Sequence, residues 1–355
     1  MTPLVSVCVP NLNKRSFLSE RFESIFTQTF QDWELFVYDS YSDDGSWEFI
    51  QDIASKDSRV RIAQGPRQGP YPAWNECLRQ TKGEYVYIAT SDDSMSHDFL
   101  EKTVDALDAH PDCELAHCPL VVVDESGEKL ADSPWPELTN FFLEGAPEFA
   151  NIRHVRRCPY DGLLQSMGRH TVLSITQLLI RRSIFARVGQ FPNRWGSISD
   201  FNWEMKAGLV ANTIHVPDTW ATWRYYPGSL TTAQNFWSIE YPRKIDEMIR
   251  DALSSCQSYL PPAVKGALIE ELVEGAIELR EYYRFLGATD SVVSRRLFQL
   301  KQVCRGSSAM RREILGRFIG KPRTDNSATA TGIRIWLESL GLEPLRHCSP
   351  NGGSQ

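Results

Sequence analysis

Two adjacent acids follow an apolar run in the first third of the chain. Residues Tyr85–Ala89 are β-branched, aromatic and apolar, and Ser91, Asp92 and Asp93 come almost directly after them. Carboxylate oxygens are ligands for hard divalent cations, so metal binding is one interpretation. The other is local, because Ser and Asp also cap helices and a helix-like segment begins near His97. The residues alone leave both interpretations open.

Two other polar clusters have the same relation to apolar runs. The segments 10–13 and 39–46 each come directly after a short, β-rich run, as 91–93 does. Helix-like segments separate these runs at 17–27 (with Ser16 as the expected N-cap), 47–54 and 72–80. Strands separated by helices of this length predict a parallel sheet with right-handed crossovers. Since ligands of such sheets bind at the carboxyl ends of strands, we expect all three clusters on one rim.

Periodicity and turn residues predict the remaining elements. Strand-like runs lie at 4–9, 33–38, 60–63, 85–89 and 176–180. Gly189 terminates a short helix predicted around 183–188, whereas 120–151 is rich in Pro, Trp and acid and is predicted to be irregular. Beyond about Thr231 the sequence is predominantly helical, and the tail from Thr324 is predicted to be loose in part.

Composition limits the class of protein. The 355 residues are 42% hydrophobic and 11% aromatic, which suits a globular protein with a sizeable core. The eight cysteines form no CxxC pair, and the seven histidines are scattered as surface or satisfied core residues are. A net charge of −7 argues against a nucleic-acid partner. Because signal-peptide features and long apolar runs are missing from the sequence, we expect a cytoplasmic protein.

About two thirds of the chain resembles the family 2 (GT2) glycosyltransferases of the GT-A fold. VSVCVPNLNKRSFLSERFESIFTQTFQDWELFVYDSYSDDGSW matches that family's strand, Pro-x-x-Asn, helix and Asp-rich turn, and RQGPYPAWNECLRQTKGEYVYIATSDD continues the match. The resemblance implies an α/β GT-A fold (Rossmann-like, nucleotide-diphospho-sugar transferase) with a mixed, mainly parallel sheet flanked by helices. It divides the chain into a catalytic domain at 1–235, with a nucleotide-sugar-binding half (1–118) and an acceptor half (119–235), and a helical extension with a flexible tail at 236–355.

The resemblance also implies roles for the polar clusters. Asp39 matches the residue that hydrogen-bonds the nucleobase, usually uracil, because its carboxylate can accept an imide N–H; an Asx-turn is the alternative. Asp93 is the implied ligand of a divalent cation, Mn²⁺ or Mg²⁺, that neutralises the diphosphate, while Asp92 faces the ribose or assists through water. The other implied donor-binding residues are Pro10, Asn11, Asn13, Arg67 and Arg224.

A later segment supplies the implied general base. WGSISDFNWEMK, from Trp195 to Lys206, resembles the family's ED-x-x-x-W/F-x-R segment, in which an Asp at the start of a helix removes a proton from the acceptor hydroxyl. Asp200 takes this place, although Ser199 replaces the usual preceding acid. An N-cap Asp on an amphipathic helix is the alternative, and Glu204 is ranked below Asp200 because helical spacing points it elsewhere.

The segment WRYYPGSLT resembles the family's R-x-H-x-G-S ending, with one substitution that bears on metal binding. Tyr226 takes the place of the His that can complete the metal or diphosphate site. A neutral phenol is a poorer ligand than imidazole, so the sequence predicts weakened protein ligation of a metal. Arg224 in the same segment is expected to meet phosphate.

The region 295–323 is strongly basic. It carries nine Lys and Arg against the single acid Glu313, and apolar residues are interleaved with them. Amphipathic helices of this composition suit peripheral contact with the inner face of an anionic membrane. The alternative is an extension packed on the catalytic domain with a solvated basic face.

Together these expectations predict an inverting glycosyltransferase. It would transfer a sugar from a nucleotide-diphosphate sugar, first a UDP-sugar, to a hydroxyl of a glycan or lipid-linked glycan in polysaccharide or glycoconjugate biosynthesis. The alternative is a non-catalytic sugar-nucleotide or glycan-binding module in which Ser199 and Tyr226 mark a degenerate site. The sequence does not define the donor sugar, the acceptor or the oligomeric state.

Overall fold

The computed structural model describes residues 2–131, 139–142, 146–230, 232, 240–264 and 330–348. Its helices are α1 (Arg15–Phe26), α2 (Ser46–Lys56), α3 (Pro70–Gln80), α4 (Phe99–Ala109), α5 (Tyr160–Ser166), α6 (Phe185–Val188), α7 (Ser199–Val210), α8 (Glu240–Cys256) and α9 (Ala330–Ser339). Its strands are β1 (Val5–Asn11), β2 (Trp33–Asp39), β3 (Val60–Gln64), β4 (Tyr85–Ile88), β5 (Cys113–His117), β6 (Leu120–Val123), β7 (Thr139–Asn140), β8 (His154–Arg156), β9 (Arg169–His170), β10 (Leu178–Arg181), β11 (Asn212–His215), β12 (Ala221–Arg224) and β13 (Leu345–His347).

A nine-stranded mixed sheet forms the centre of the described chain. Its strand order is β13-β8-β11-β5-β10-β4-β1-β2-β3. Strand β1 pairs in parallel with β2 and β4, and β2 with β3, whereas β10 runs antiparallel between β4 and β5. On the other side, β11 is parallel to β5, and β8 is antiparallel to both β11 and β13. Only β8 and β10 of the nine oppose the others, which confirms the expected mixed, mainly parallel sheet.

Both faces of β1 are buried, which explains its nearly continuous apolar sequence. The side chains of Val5, Val7 and Val9 pack into one hydrophobic cluster together with Leu18 of α1. Cys8, whose side chain alternates to the other face, belongs to a second cluster that includes residues of α3 and α7. Strands covered by helices on both faces read as apolar runs rather than as alternating patterns. The polar residues at the carboxyl end of β1 can therefore contribute to the rim of the sheet.

The register of the first strands brings their polar ends together. Asn11 at the end of β1 pairs with Asp39 at the end of β2, and Asp39 pairs with Gln64 at the end of β3. After β4, the Ser91 hydroxyl donates to the backbone oxygen of Pro10 over 2.9 Å. The expectation that the three polar clusters share one rim is confirmed.

Helix α7 is fixed between α5 and α8. A Cβ added to Gly208 of α7 would lie 2.5 Å from the backbone nitrogen of Gly162 on α5, so only glycine permits this approach. On the other side, Nζ of Lys206 lies 2.7 Å from Oδ2 of Asp251 on α8. These contacts set the position of the first turn of α7, which begins at Ser199.

Three histidines from different strands form a buried cluster in the sheet. Nδ1 of His117 lies 2.9 Å from Nδ1 of His215, and both rings pack near His154 and Arg156. Nε of Arg156 donates to Asp161 over 2.7 Å, so the cation of this cluster is paired. Burial lowers the pKa of His154 to about 2 and that of His215 to about 3, which keeps the rings neutral. The expectation of satisfied core histidines is confirmed for these three.

Several expected boundaries need correction. Helix α1 begins at Arg15 with Lys14 as its N-cap residue, so Ser16 as the cap was wrong. The strand expected at 176–180 starts as a 3₁₀ turn and becomes extended only at Leu178. Part of the segment expected to be irregular is strand β6, which pairs in parallel with β12. That pairing joins distant residues, and local periodicity carries no signal for it.

Part of the region after Thr231, for which the sequence predicted helices and a basic segment, lies outside the described residues. Helices α8 and α9 follow Thr231, as expected, whereas 295–323 lies outside the described ranges. The division into domains at residue 235 therefore stays a prediction. Among the helices the structure describes, none combines the length and apolarity of a membrane span. The described cysteines are free thiols.

Candidate active site

Asp39 is fully buried and organises the rim between β1, β2 and β3. Its Oδ1 accepts hydrogen bonds from Asn11 Nδ2 (2.7 Å) and Ser42 Oγ (2.6 Å). Its Oδ2 accepts from the backbone N–H of Ser42 (2.9 Å) and from Gln64 Nε2 (3.0 Å). The bond to the Ser42 N–H is the local turn that the sequence left as an alternative. Recognition of a nucleobase by Asp39 stays a prediction.

The turn after β2 is tied to the turn after β1. Asn13 and Asp43 bond reciprocally: Asn13 Nδ2 donates to Oδ1 of Asp43 (2.8 Å), and the Asp43 N–H donates back to Oδ1 of Asn13 (2.9 Å). Arg67 donates to Oδ2 of Asp43 (2.8 Å) and to the carbonyl of Tyr41, whose φ of 50° is unusual for a bulky residue. Arg67 thus holds this turn, and its predicted contact with the donor stays a prediction.

Asp44 in the same turn serves two helix N-termini. Its Oδ2 accepts from the backbone N–H of Arg15, the first residue of α1 (2.8 Å), and its Oδ1 accepts from that of Ser46, the first residue of α2 (3.0 Å). The first N–H groups of a helix have no partner within the helix, so a carboxylate there is stabilising. Asp44 thereby fixes the start of α1, and with it Lys14, at the rim.

Asp93 is buried behind Asp92 rather than placed as a helix cap. Its Oδ1 accepts from the backbone N–H of Arg224 (2.7 Å), and its Oδ2 accepts from the hydroxyl of Thr90. Burial, followed by the negative charge of Asp92, raises the pKa of Asp93 to about 7. The next helix, α4, begins after Asp98, so the capping interpretation of the acids at 92 and 93 was wrong.

Asp92 is more accessible than Asp93 and faces a cation from its own chain. The Tyr226 hydroxyl donates to Oδ2 of Asp92 over 2.8 Å. Nζ of Lys14 lies 3.4 Å from the same oxygen and also hydrogen-bonds to the Tyr226 hydroxyl. Lys14 is absent from the residues that the sequence predicted for the site. Its one local signal is its position directly after the Pro-x-x-Asn motif.

Buried Arg224 holds the loops around Asp92 together through hydrogen bonds. Its guanidinium, 1% exposed, donates from Nε to the backbone oxygen of Asp92 (2.7 Å) and from one terminal nitrogen to those of Asp124 (3.2 Å) and Glu125 (3.0 Å). The other terminal nitrogen donates to the carboxylate of Glu20 (2.5 Å). Its donors therefore serve the protein, and the predicted contact of Arg224 with phosphate stays a prediction.

The described residues do not fit a metal ion held by the protein. They contain no cluster of three His, Cys, Asp or Glu side chains with a geometry suited to a metal. Both oxygens of Asp93 accept hydrogen bonds inside the protein, and the buried charge of Arg21 already favours its ionised form. A cation at Asp92 would meet the ammonium of Lys14, and Tyr226 supplies no imidazole. The arrangement does not support the predicted ligation of Mn²⁺ or Mg²⁺ by Asp93.

Asp200 is half-buried in the first turn of α7. Its Oδ1 accepts from the hydroxyl of Tyr71 (2.9 Å) and from the N–H of Phe201 (3.1 Å). Because Ile198 is the N-cap residue of α7, the N-cap interpretation of Asp200 was wrong. Burial raises the pKa of Asp200 to about 6, against the lowering effect of the Tyr71 bond. Such a carboxylate is mostly ionised at pH 7 and more basic than an exposed one, as a general base requires.

Glu204, one turn after Asp200, is chemically different. It is buried and accepts from Nε2 of Gln165 on α5 (2.8 Å), while its Oε1 has no hydrogen-bond partner among the described residues. Burial, and then the charge of Asp200, raise the pKa of Glu204 well above its usual range. Burial thus favours the neutral form of Glu204, and its ranking below Asp200 as a base stays a prediction.

A short loop after β3 connects the rim to α3, the helix that carries the Tyr71 contact to Asp200. The N–H of Gly65, directly after β3, donates to the backbone oxygen of Asp39 over 3.0 Å. Four residues later, Gly69 has a φ of 96° and precedes α3, whose second residue is Tyr71. The carboxylate at 200 is therefore held by a helix that starts from the rim.

Comparison with known proteins places this arrangement among sugar-transferring enzymes. Residues 6–186 match the family model described as Glycosyl transferase family 2. The "Putative teichuronic acid biosynthesis glycosyltransferase TuaG" of Bacillus subtilis is 32% identical over 104 residues, which are 29% of this chain and 41% of that protein. The chain therefore spans well under two thirds of that relative's length.

Two solved structures resemble the whole described fold. TarS 1-349 of S. aureus, in complex with UDP-GlcNAc, superposes with a TM-score of 0.53 at 18% identity, covering 91% of this chain and 93% of that one. The mannosyltransferase PcManGT of Pyrobaculum calidifontis, in complex with GDP-Man and Mn²⁺, gives 0.52 at 18% identity, covering 89% and 84%. At such identities the likeness shows the fold alone, and it confirms the expected GT-A fold.

Proposed function

Because the chain belongs to glycosyl transferase family 2, we propose that it transfers a sugar, with inversion, from a nucleotide-diphosphate sugar to an acceptor hydroxyl. The observation that carries the proposal is Asp200. This carboxylate is half-buried in the first turn of α7 and is oriented by Tyr71, and burial raises its pKa to about 6. A base of that kind suits proton removal from a sugar hydroxyl at neutral pH.

The donor is a nucleotide-diphosphate sugar, with UDP-sugars as the first candidates. The rim at Asn11 and Asp39 takes the nucleoside end, and the corner at Asp92 takes the diphosphate. The amide and carboxylate groups at the ends of β1 and β2 support this placement, because open α/β sheets bind ligands there. The complexes of TarS with UDP-GlcNAc and of PcManGT with GDP-Man support the class of donor without selecting the sugar.

The reaction is a single displacement. The carboxylate of Asp200 takes the proton of the acceptor hydroxyl, and the oxygen attacks the anomeric carbon from the face opposite the leaving group. The new glycosidic bond forms as the bond from the anomeric carbon to the diphosphate oxygen breaks, and the electron pair leaves with the nucleoside diphosphate. Inversion follows, because one displacement at one carbon reverses its configuration.

The acceptor is a hydroxyl of a glycan or lipid-linked glycan in the synthesis of a polysaccharide or related glycoconjugate. The similarity to TuaG, a putative teichuronic acid biosynthesis glycosyltransferase, supports this class. The peripheral membrane contact proposed for 295–323 lies outside the described residues and stays a prediction, as does the cytoplasmic location.

Asp200→Asn tests the proposal, because amide and carboxylate have the same shape and only the carboxylate is a base. UDP-sugars are screened for nucleoside diphosphate release with glycan acceptors, and UDP binding is measured by titration calorimetry. We expect transfer to fall by at least about 100-fold in the variant, while UDP binding stays within a few-fold of wild type. Asp105→Asn, on the exposed face of α4, is the matched control and should retain transfer.

The alternative, a binding module with a degenerate site, gives a different result. It predicts nucleotide or glycan binding in both proteins and no transfer in either one. Transfer that survives in Asp200→Asn would show that another group is the base. Failure of UDP, GDP and dTDP to bind would remove the donor assignment and leave only the fold.

A further inference from the structure

We propose that Lys14 is the cation of the diphosphate site, so that this chain binds its donor without a divalent metal ion. The inference rests on the proposed function, since it concerns the same donor. Its basis is the disagreement between the metal site that the fold family implies and the side chains found there.

Lys14 places a positive charge beside Asp92, the residue next to the predicted metal ligand Asp93. Its side chain is 22% exposed, and its ammonium lies 3.4 Å from the accessible carboxylate of Asp92. It is the N-cap residue of α1, a helix of 12 residues whose first N–H already donates to the carboxylate of Asp44. An ammonium has three donors and binds phosphate as a point charge, so Lys14 can hold Asp92 and still meet a diphosphate oxygen.

Tyr226 completes this arrangement at the position where the family has His. Its phenol donates to Asp92 and accepts from the ammonium of Lys14, so a single hydroxyl bridges anion and cation. Burial raises the pKa of Tyr226, which keeps this hydroxyl protonated and able to donate. Tyr226, at the family's His position, and Lys14 therefore act together, because both contact Asp92 and each other.

The charge around the two acids is already balanced. Asp92 faces Lys14, while Asp93 feels the buried charge of Arg21 and accepts the backbone N–H of Arg224. Divalent ions are attracted to sites with an excess of negative oxygen ligands, and that excess is absent here among the described residues. A diphosphate brings its own negative charge and therefore needs the cation that is already present.

The test is calorimetric titration of the full chain with UDP, once in EDTA and once in Mn²⁺. We expect wild type to bind UDP in EDTA within about threefold of its affinity in Mn²⁺. Lys14→Met should weaken binding in EDTA by about tenfold or more, which is the effect of losing one charge-assisted contact. Lys14→Arg, which keeps the charge, should stay within a few-fold of wild type.

Lys56→Met is the matched control, because Lys56 forms an exposed ion pair with Asp52 on α2 and should bind UDP as wild type does. Thermal unfolding of each variant checks that Lys14→Met remains folded. UDP binding by wild type that appears only with Mn²⁺, or unchanged binding by Lys14→Met, would overturn the inference and leave the proposed function standing. Absence of binding to UDP, GDP and dTDP under both conditions would overturn both.

Discussion

The hydroxyl of Tyr71 donates a 2.9 Å hydrogen bond to Oδ1 of Asp200, across 129 positions of sequence. Burial raises the pKa of Tyr71 well above its usual value, so the phenol remains a donor at any working pH. The basicity of the carboxylate on α7 is therefore set partly by α3, the helix that leaves the rim. The rim and Asp200 are thus linked through one aromatic side chain.

Tyr71→Phe should make Asp200 a stronger base that is less often ionised. The hydroxyl favours the charged carboxylate, so its removal raises the pKa of Asp200 further above about 6. A rise of the pKa from about 6 to about 7 would cut the ionised fraction of Asp200 at pH 7 from about 0.9 to about 0.5, and the loss is larger below pH 7. The acid limb of the pH–rate profile should move to higher pH, whereas Tyr259→Phe, at an exposed side chain, should not move it. An unmoved limb in Tyr71→Phe would contradict the assignment of Asp200 as the base.

Glu204→Gln should leave transfer nearly intact, in contrast with Asp200→Asn. Because burial raises the pKa of Glu204 well above its usual range and favours the neutral carboxyl, the amide is a neutral group of the same shape. The pKa of Glu204 is higher in the folded state than in the unfolded state. The protein therefore loses stability as the pH rises from the unfolded-state pKa toward the folded-state pKa, and Gln removes this loss. We expect kcat within a few-fold of wild type and a free energy of unfolding no more than about 0.5 kcal/mol lower at pH 7. Loss of transfer would mean that Glu204 works as an acid or base.

The histidine cluster should make the protein sensitive to acid. The pKa of His154 is about 2 in the folded state, so below about 6.5 the unfolded chain takes up a proton that the folded one does not. The stability associated with neutral His154 is thus fully present above the unfolded-state pKa and declines as the pH falls toward the folded-state pKa. Asp93, Asp200 and Glu204 act in the opposite direction, so the comparison must be with a variant.

His154→Gln cannot charge, and urea unfolding at pH 7.5 and pH 5 isolates its effect. Between these two values, wild type should lose about 2 kcal/mol more than the variant. His97→Gln, at an exposed side chain, should keep the wild-type pH dependence. Equal pH dependence in wild type and His154→Gln would show that His154 is not held neutral by the fold.

Gly208→Ala should destabilise the fold through the contact of α5 with α7. The new Cβ would meet the backbone of Gly162 at 2.5 Å, and neither helix can give way without moving the other. Overpacking of this kind costs about 1–3 kcal/mol, or several degrees of thermal unfolding. At Gly168, which has a φ of 72°, a Cβ meets nothing within 4 Å, so Ala there costs only backbone strain. A melting temperature unchanged from wild type in Gly208→Ala would contradict the contact.

The sequence located the rim because the signals there are local. The acids at 39, 92 and 93 follow apolar runs, and parallel sheets collect such strand ends on one edge. What the side chains do there was less accessible. Asp39 proved to be saturated by donors from three strand ends or turns, and Arg224 by backbone oxygens of two loops and the carboxylate of Glu20. The local sequence shows the type and position of these residues. It does not show which residues become their hydrogen-bond partners.

Lys14 shows the limit most clearly. It lies next to an acid 78 positions later and bonds to a phenol 212 positions away, and no spacing rule connects the three. The same holds for the histidines, which come from three strands, and for the facing glycines of α5 and α7. These features arise from tertiary packing, which periodicity and turn chemistry do not encode.

The distance along the chain between Arg224 and Asp92 has a consequence for synthesis on the ribosome. Strands β1 to β4 and both acids emerge first, yet Arg224, which closes over them, follows 132 residues later. Contacts of such separation form slowly, because the intervening chain must be ordered before they repay their entropy. The nascent chain therefore carries a sheet with an open corner until β12 has been made. A chain that ends before β12 would lack Arg224 and could not close this corner over Asp92.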